Sequence, residues 1–254
     1  MKGKVAFVGS GNVAWHLAKA LDLAGLTIYQ IVSKNKVTGK DLAKIYGAYF
    51  NEAPHEVLPE CDYVFLTVPD SQIESVLKLI SCNGPIFLHC AGSISLETIQ
   101  GLKPRTGVFY PLQTFTIGRK INYFEVPIFV EASDTPTFKQ IFELADSISN
   151  KVKFLDSPQR LNLHLAAVIA NNFTNYLMGQ SEQLMNSHQL AFEDLKPLIT
   201  ETVNKAFDMG PSMSQTGPAK RNDTSTIEKH LKMLEGLNDL QELYALISKG
   251  IQKK

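Results

Sequence analysis

The sequence has no surplus of either charge: 25 Lys and Arg balance 25 Asp and Glu over 254 residues, for a formal net charge of +0. With no basic patch to be found, that balance argues against nucleic acid or an anionic membrane surface as the main partner. No run approaches the ~18 apolar residues of a membrane span. The chain also enters its first apolar stretch with no charged, apolar and small-residue leader before it, so a cytoplasmic protein is expected. Cysteine is scarce. Cys61, Cys82 and Cys90 cannot all pair, show no CxxC spacing and fall within or beside predicted strands and helices, which reads as core or incidental thiols rather than a disulfide set or a metal site. What the chain does have is apolar bulk. A hydrophobic content of 44% can build a sizeable core, and the length allows two domains.

The most informative stretch is Lys4 to Ala14, an apolar run that ends in Gly9-x-Gly11-x-x-Ala14. Val5, Ala6, Phe7 and Val8 form a short buried-strand pattern, and Val13, Leu17, Ala20, Leu21 and Ala24 follow at helical spacing. In such a strand–turn–helix Gly9 permits the tight turn, Gly11 lets the backbone approach a pyrophosphate and Ala14 keeps the helix close to the sheet. The free N–H groups and the positive end of the helix dipole then hold the phosphates. Gly9, Ser10, Gly11, Asn12 and Val13 are therefore the candidate phosphate-binding residues of a dinucleotide site.

An Asp or Glu at the end of the second strand would bind a ribose 2′-hydroxyl and mark NAD. That acid is missing. The strand Thr27 to Ser33 runs out into Ser33-Lys34-Asn35-Lys36, whose hydroxyl, amide and ammonium donors suit a 2′-phosphate and favour NADP. The two lysines are otherwise solvated loop charges.

Strand and helix patterns alternate through the first 155 residues, which predicts a mostly parallel sheet with helices on both faces. Strands are expected over 62–68, 85–90, 105–110, 127–130 and 152–155, with a helix over 135–149. Asp70 or Ser71 is placed to cap the helix that carries Ile73, Val76, Leu77 and Ile80. Ligands in open sheets lie beyond the carboxyl ends of the strands, so Val68 and Pro69, residues 90–93 and residues 110–114 should border the cleft.

Beyond Pro158 no strand pattern returns, and an all-α second domain is expected over 157–254 after an α/β domain over 1–156. The segment from Pro158 to Ser187 is apolar nearly all round, as for a central helix packed on several sides. Its polar exceptions carry information. At about 100° per residue His164, Asn171 and Asn175 fall within about 40° of one line, with Asn172 one step round. Such a stripe faces a ligand, a polar cavity or another helix. Further on, Arg221 in a Gly-Pro loop suits a bidentate grip on a carboxylate or phosphate, or else a surface salt bridge. Asp223 or Thr224 can cap the helix that follows.

Taken in order, Gly9-Ser-Gly-Asn-Val-Ala14, Val64-Phe-Leu-Thr-Val-Pro69, His89-Cys-Ala-Gly-Ser93, Tyr110-Pro-Leu-Gln-Thr-Phe115 and Gly217-Pro-Ala-Lys-Arg-Asn-Asp223 resemble a bacterial group of NADP oxidoreductases. These have a Rossmann-like domain followed by a helical domain of unassigned function, and they are similar to pyrroline-5-carboxylate reductases and β-hydroxyacid dehydrogenases. The resemblance covers essentially the whole chain. It implies a helical dimerisation domain, hence a homodimer, and an active site between the domains. The dehydrogenase branch carries Lys-x-x-Asn-Asn on the first long helix of its second domain. Here the matching residues are Val168-Ile169-Ala170-Asn171-Asn172, and valine cannot transfer a proton. His164 stands one turn earlier, and an imidazole, with an ordinary pKa near ~6.5, suits general acid–base work. Two functions are therefore expected as alternatives. One is an NADP-dependent reductase or dehydrogenase in which His164 moves the proton while Asn171, Asn172 and Arg221 orient a small carbonyl, imine or hydroxy acid. The other is a non-catalytic NADP-binding sensor or dimeric interaction protein.

Overall fold

A computed structural model describes residues 2–253. The chain divides into two compact units, Met1–Ala167 and Val168–Lys254.

The first unit is built on one eight-stranded sheet in the order β3-β2-β1-β4-β5-β6-β7-β8. The first six strands, β1 (Lys4–Val8), β2 (Thr27–Val32), β3 (Tyr49–Asn51), β4 (Tyr63–Leu66), β5 (Ile86–His89) and β6 (Thr106–Pro111), run parallel. β7 (Ile128–Ala132) pairs antiparallel with β6, and β8 (Val152–Phe154) is parallel to β7. All the predicted strands are present. They were legible because strands covered on both faces read as unbroken apolar runs. Alternate side chains feed two cores. Val5, Phe7, Phe65 and Leu88 join the helices α1 (Asn12–Leu23), α2 (Lys36–Tyr46) and α4 (Thr135–Asp146) on one face, and Ala6, Val8, Val64, Leu66 and Phe87 join α3 (Ile73–Leu79) on the other. Each such large side chain contributes about 1.5–3 kcal/mol through burial.

Helix ends are set by local chemistry. The Asn35 side chain accepts from Val37 N and Thr38 N at the start of α2, and Asp134 accepts from Thr137 N at the start of α4. Gly47 closes α2 in the left-handed region at φ +62°. The helix expected over 135–149 ends earlier, at Asp146. Asp70 does not cap α3: residues 70–72 form a 3₁₀ turn, α3 starts at Ile73 with no side-chain cap, and the Asp70 carboxylate instead accepts from Ser93 Oγ at 2.5 Å. The last element of this unit is α5 (Ser157–Ala167).

In the second unit a π-helical stretch, Val168–Phe173, leads into α6 (Thr174–Ser187), followed by α7 (Lys196–Met209), the short α8 (Pro211–Ser214), α9 (Thr224–Met233) and α10 (Asn238–Gln252). Asp223 caps α9, accepting from Thr226 N at 3.1 Å and Thr226 Oγ1 at 2.8 Å. The expectation of a central helix buried on several sides is corrected: Leu161, Leu165, Ile169 and Phe173 are each about half exposed. An all-round apolar pattern shows that a surface needs covering, and the chain by itself leaves this one half open. Val168–Phe173 is π-helical, hydrogen-bonded i→i+5, so the 100° per residue assumed for the line through His164, Asn171 and Asn175 does not hold across this stretch.

Candidate functional site

The sheet reverses its strand order between β1 and β4, which is where open α/β sheets leave a crevice. The turn out of β1 lies there. Gly9 has φ +114°, and a Cβ on it would stand 2.5 Å from the Thr67 carbonyl oxygen, so only glycine fits. Thr67 in turn donates from Oγ1 to Val8 O at 3.2 Å and ties β4 to this turn. A Cβ on Gly11 would meet nothing within 4 Å, so the space over it is open. Gly11 is the N-cap of α1 without any side-chain cap bond, and the first turn holds no acid. Free N–H groups and an uncompensated dipole end thus face a cavity of about 560 Å³, which fits a pyrophosphate.

The cavity is lined by Gly9, Ser10, Gly11, Asn12, Ser33, Lys34, Val68 and Pro69, eight of the nine residues expected at a cofactor. The ninth, Val13, packs its side chain against the core instead. At the far rim the loop after β2 differs in detail from a simple row of donors. Ser33 is buried, and its Oγ lies 2.8 Å from Ser10 Oγ, which is 2.6 Å from Thr38 Oγ1. The Asn35 amide is used to cap α2, and Lys36 pairs with Glu52 at 2.9 Å. Lys34 is the remaining exposed cation of that loop. Thr38, Glu52, Thr67, Gln72 and Ile117 also line the cavity. Apart from Thr67, no local pattern marks them, and Ile117 reaches it from far along the chain, donating its N–H to Asn12 Oδ1 at 3.2 Å.

A second polar group is assembled within the same unit. His164 on α5 is half-buried, with its Nδ1 3.0 Å from the Tyr110 hydroxyl at the end of β6. Burial raises the phenol above its ordinary pKa, opposed by the Arg160 guanidinium and reinforced by Asp70, so the hydroxyl stays protonated at neutral pH. Arg160 is 1% exposed and forms an ion pair with Glu131 of β7 at 2.5 Å. His89, at the end of β5, accepts from Ala91 N at 3.2 Å, and burial followed by the nearby Arg160 pushes its pKa down to about 3. It is therefore a neutral imidazole. Burial also lifts the Cys61 thiol to about 12 and raises Cys82 and Cys90, which suits inert core thiols. Arg160 and Glu131 were not singled out from sequence, since a buried ion pair between residues 29 positions apart leaves no periodic trace. In the second unit Asn171, Asn172 and Arg221 are all exposed.

Residues 4–91 match the family described as NADP oxidoreductase coenzyme F420-dependent, and residues 126–251 match a domain of unknown function, DUF2520. The putative NADP oxidoreductase BF3122 from Bacteroides fragilis is 35% identical, with 100% of this chain and 99% of that chain covered and a TM-score of 0.94. Two more distant structures share the fold at 14% identity. A 1-pyrroline-5-carboxylate reductase from Streptococcus pyogenes has a TM-score of 0.63 over 100% of this chain and 99% of its own. An imine reductase from Myxococcus stipitatus, solved with NADP+, has 0.69 over 98% and 93%. No curated protein matches in sequence. The glycine turn, the cavity at the strand-order switch and the whole-chain likeness converge, and the chain belongs to the family of NADP oxidoreductases in which a Rossmann-like domain precedes a DUF2520 domain.

Proposed function

We propose that this oxidoreductase reduces a small substrate at a C=O or C=N bond, or oxidises the corresponding hydroxy acid, with His164 as the proton-transferring group. The observation that carries this reading is the Tyr110–His164 pair. Its imidazole stands one helical turn before Val168, which holds the place where the dehydrogenase branch carries a lysine, and an imidazole is able to exchange a proton where valine is not. NADPH, when bound along the cavity, supplies the hydride. The rest falls to the protein. Gly9, Ser10, Gly11, Asn12 and the backbone of Val13 hold the pyrophosphate, and Ser33 and Lys34 meet the 2′-phosphate. Val68 and Pro69 border the cofactor, while Asn171, Asn172 and Arg221 orient the substrate, their exposed polar heads being free to meet one. We further propose a cytoplasmic homodimer formed through residues 157–254, supported by the apolar side chains left exposed there.

The test is a screen of small keto acids, imines and hydroxy acids for NADPH oxidation or NADP reduction, followed by His164→Ala. The variant should keep NADPH affinity and lose about 10²- to 10⁴-fold in turnover. Wild-type turnover by the variant would remove His164 from the chemistry. NADPH binding with no turnover of any compound would favour a sensor.

A further inference from the structure

His164 is held from three sides within the first unit. Its Nδ1 lies 3.0 Å from the Tyr110 hydroxyl, the two rings meeting edge to face with centroids 6.1 Å apart. Gly92 forms the floor. A Cβ there would stand 2.5 Å from Nδ1 and 2.7 Å from Cγ of the imidazole, so the ring rests directly on the backbone of the turn after β5. The third hold is one helical turn earlier, on the same face of α5, where Arg160 is i−4 to His164. Arg160 donates from Nη1 to Glu131 Oε2 at 2.5 Å and from Nη2 to Ile94 O at 2.6 Å and Ser157 Oγ at 3.0 Å. Ser157 donates from its N and Oγ to the two oxygens of Glu131 and accepts from Leu96 N. The first turn of α5 is thereby bound to β7 and to the segment after β5, which fixes where the next turn presents its imidazole.

We propose that Tyr110 is the positioning residue of the proton donor: its hydroxyl engages Nδ1 of His164 and leaves Nε2 as the atom that exchanges the proton. The inference rests on the reading of His164 given above. A hydroxyl suits this role in both charge states of the ring, because it donates to Nδ1 of the neutral imidazole and rotates to accept from Nδ1–H of the imidazolium. The ring then keeps one orientation through the reaction. In the reductive direction the Nε2–H bond breaks and the proton passes to the oxygen or nitrogen of the reduced substrate, forming its O–H or N–H bond. The neutral imidazole is reprotonated from water. Burial makes the phenol a weaker acid than an ordinary tyrosine, so Tyr110 orients the donor and does not replace it.

The tautomer can be read without a substrate. In long-range ¹H–¹⁵N spectra of the ¹⁵N-labelled full chain at alkaline pH, His164 should appear as a single Nε2–H tautomer with the Nδ1 shift of a hydrogen-bond acceptor. Tyr110→Phe should turn this into the mixture of an unconstrained imidazole and move Nδ1 away from the acceptor shift. Gly92→Ala, whose added Cβ pushes the ring off its floor, should produce the same change with Tyr110 intact. NADPH titration checks that both variants stay folded, since neither residue lines the cofactor cavity. An Nδ1–H tautomer or a mixture in the wild type overturns the proposal, as does a spectrum unchanged in both variants. The His164→Ala turnover experiment is separate: a wild-type rate there removes the donor reading and the proposal with it, while an unchanged spectrum removes the positioning alone.

Discussion

Lys34 and Lys36 look alike in the sequence, yet the fold gives them different fates. Lys36 is held by Glu52, whereas Lys34 lines the cofactor cavity with no ion pair among the described residues. If Lys34 meets the 2′-phosphate, Lys34→Ala should weaken NADPH about tenfold, the size of one charge-assisted hydrogen bond at an exposed site, and leave NADH unchanged. Paired fluorescence titrations check this, and an equal loss for both cofactors would contradict it. A second residue-scale consequence concerns acid. His89 titrates near 6.5 when unfolded and at about 3 in the folded chain. Between those values the unfolded state binds a proton that the native state does not, so the sign is clear: stability present above pH ~6.5 is lost as pH falls toward ~3, by up to about 1.4 kcal/mol per pH unit. Urea midpoints at pH 7 and pH 5 should therefore converge in His89→Gln relative to wild type, and parallel pH dependence in the two proteins would refute the assignment.

At the scale of elements, the first turn of α5 is anchored by the Arg160–Glu131 ion pair and the hydrogen bonds around it. Removing one partner leaves the other charge stranded, so Glu131→Ala should cost about 3–5 kcal/mol in chemical denaturation, while Glu131→Gln, which keeps an acceptor for Arg160, should cost less. Equal and small losses in both would mean that Arg160 finds water instead. The central strands of the first unit were legible in sequence because burial on both faces writes itself as composition, whereas the short, partly exposed β3 was not, and Asp223 was legible as a cap because capping is local. The π-helical stretch was not. Its residues, Val168–Phe173, have the same apolar and amide composition as an α-helix would, and only the hydrogen-bond register differs. The burial of the helix before and after it was misread for a related reason: an all-round apolar pattern states that a surface needs covering and does not state what covers it.

For the whole molecule that uncovered surface carries a prediction. Phe207 is 88% exposed, Met213 76% and Leu246 69%, apolar area that a second copy of the chain would cover. Sedimentation at micromolar concentration should give twice the 28.2 kDa chain mass, and Phe207→Glu should shift the equilibrium toward monomer. A wild-type monomer would count directly against the homodimer. What the sequence by itself determined is the part of this protein that depends on neighbours in the chain: the glycine turn, the apolar strands, the Asp223 cap, the missing acid after β2 and the valine where the dehydrogenase branch has a lysine. What only the tertiary structure decided is which distant groups meet. Tyr110 with His164, Arg160 with Glu131, Lys36 with Glu52 and Ile117 with Asn12 are each joined by packing of whole elements. Such pairings depend on distances in space between side chains far apart in the chain, and local propensity and periodicity carry no record of them.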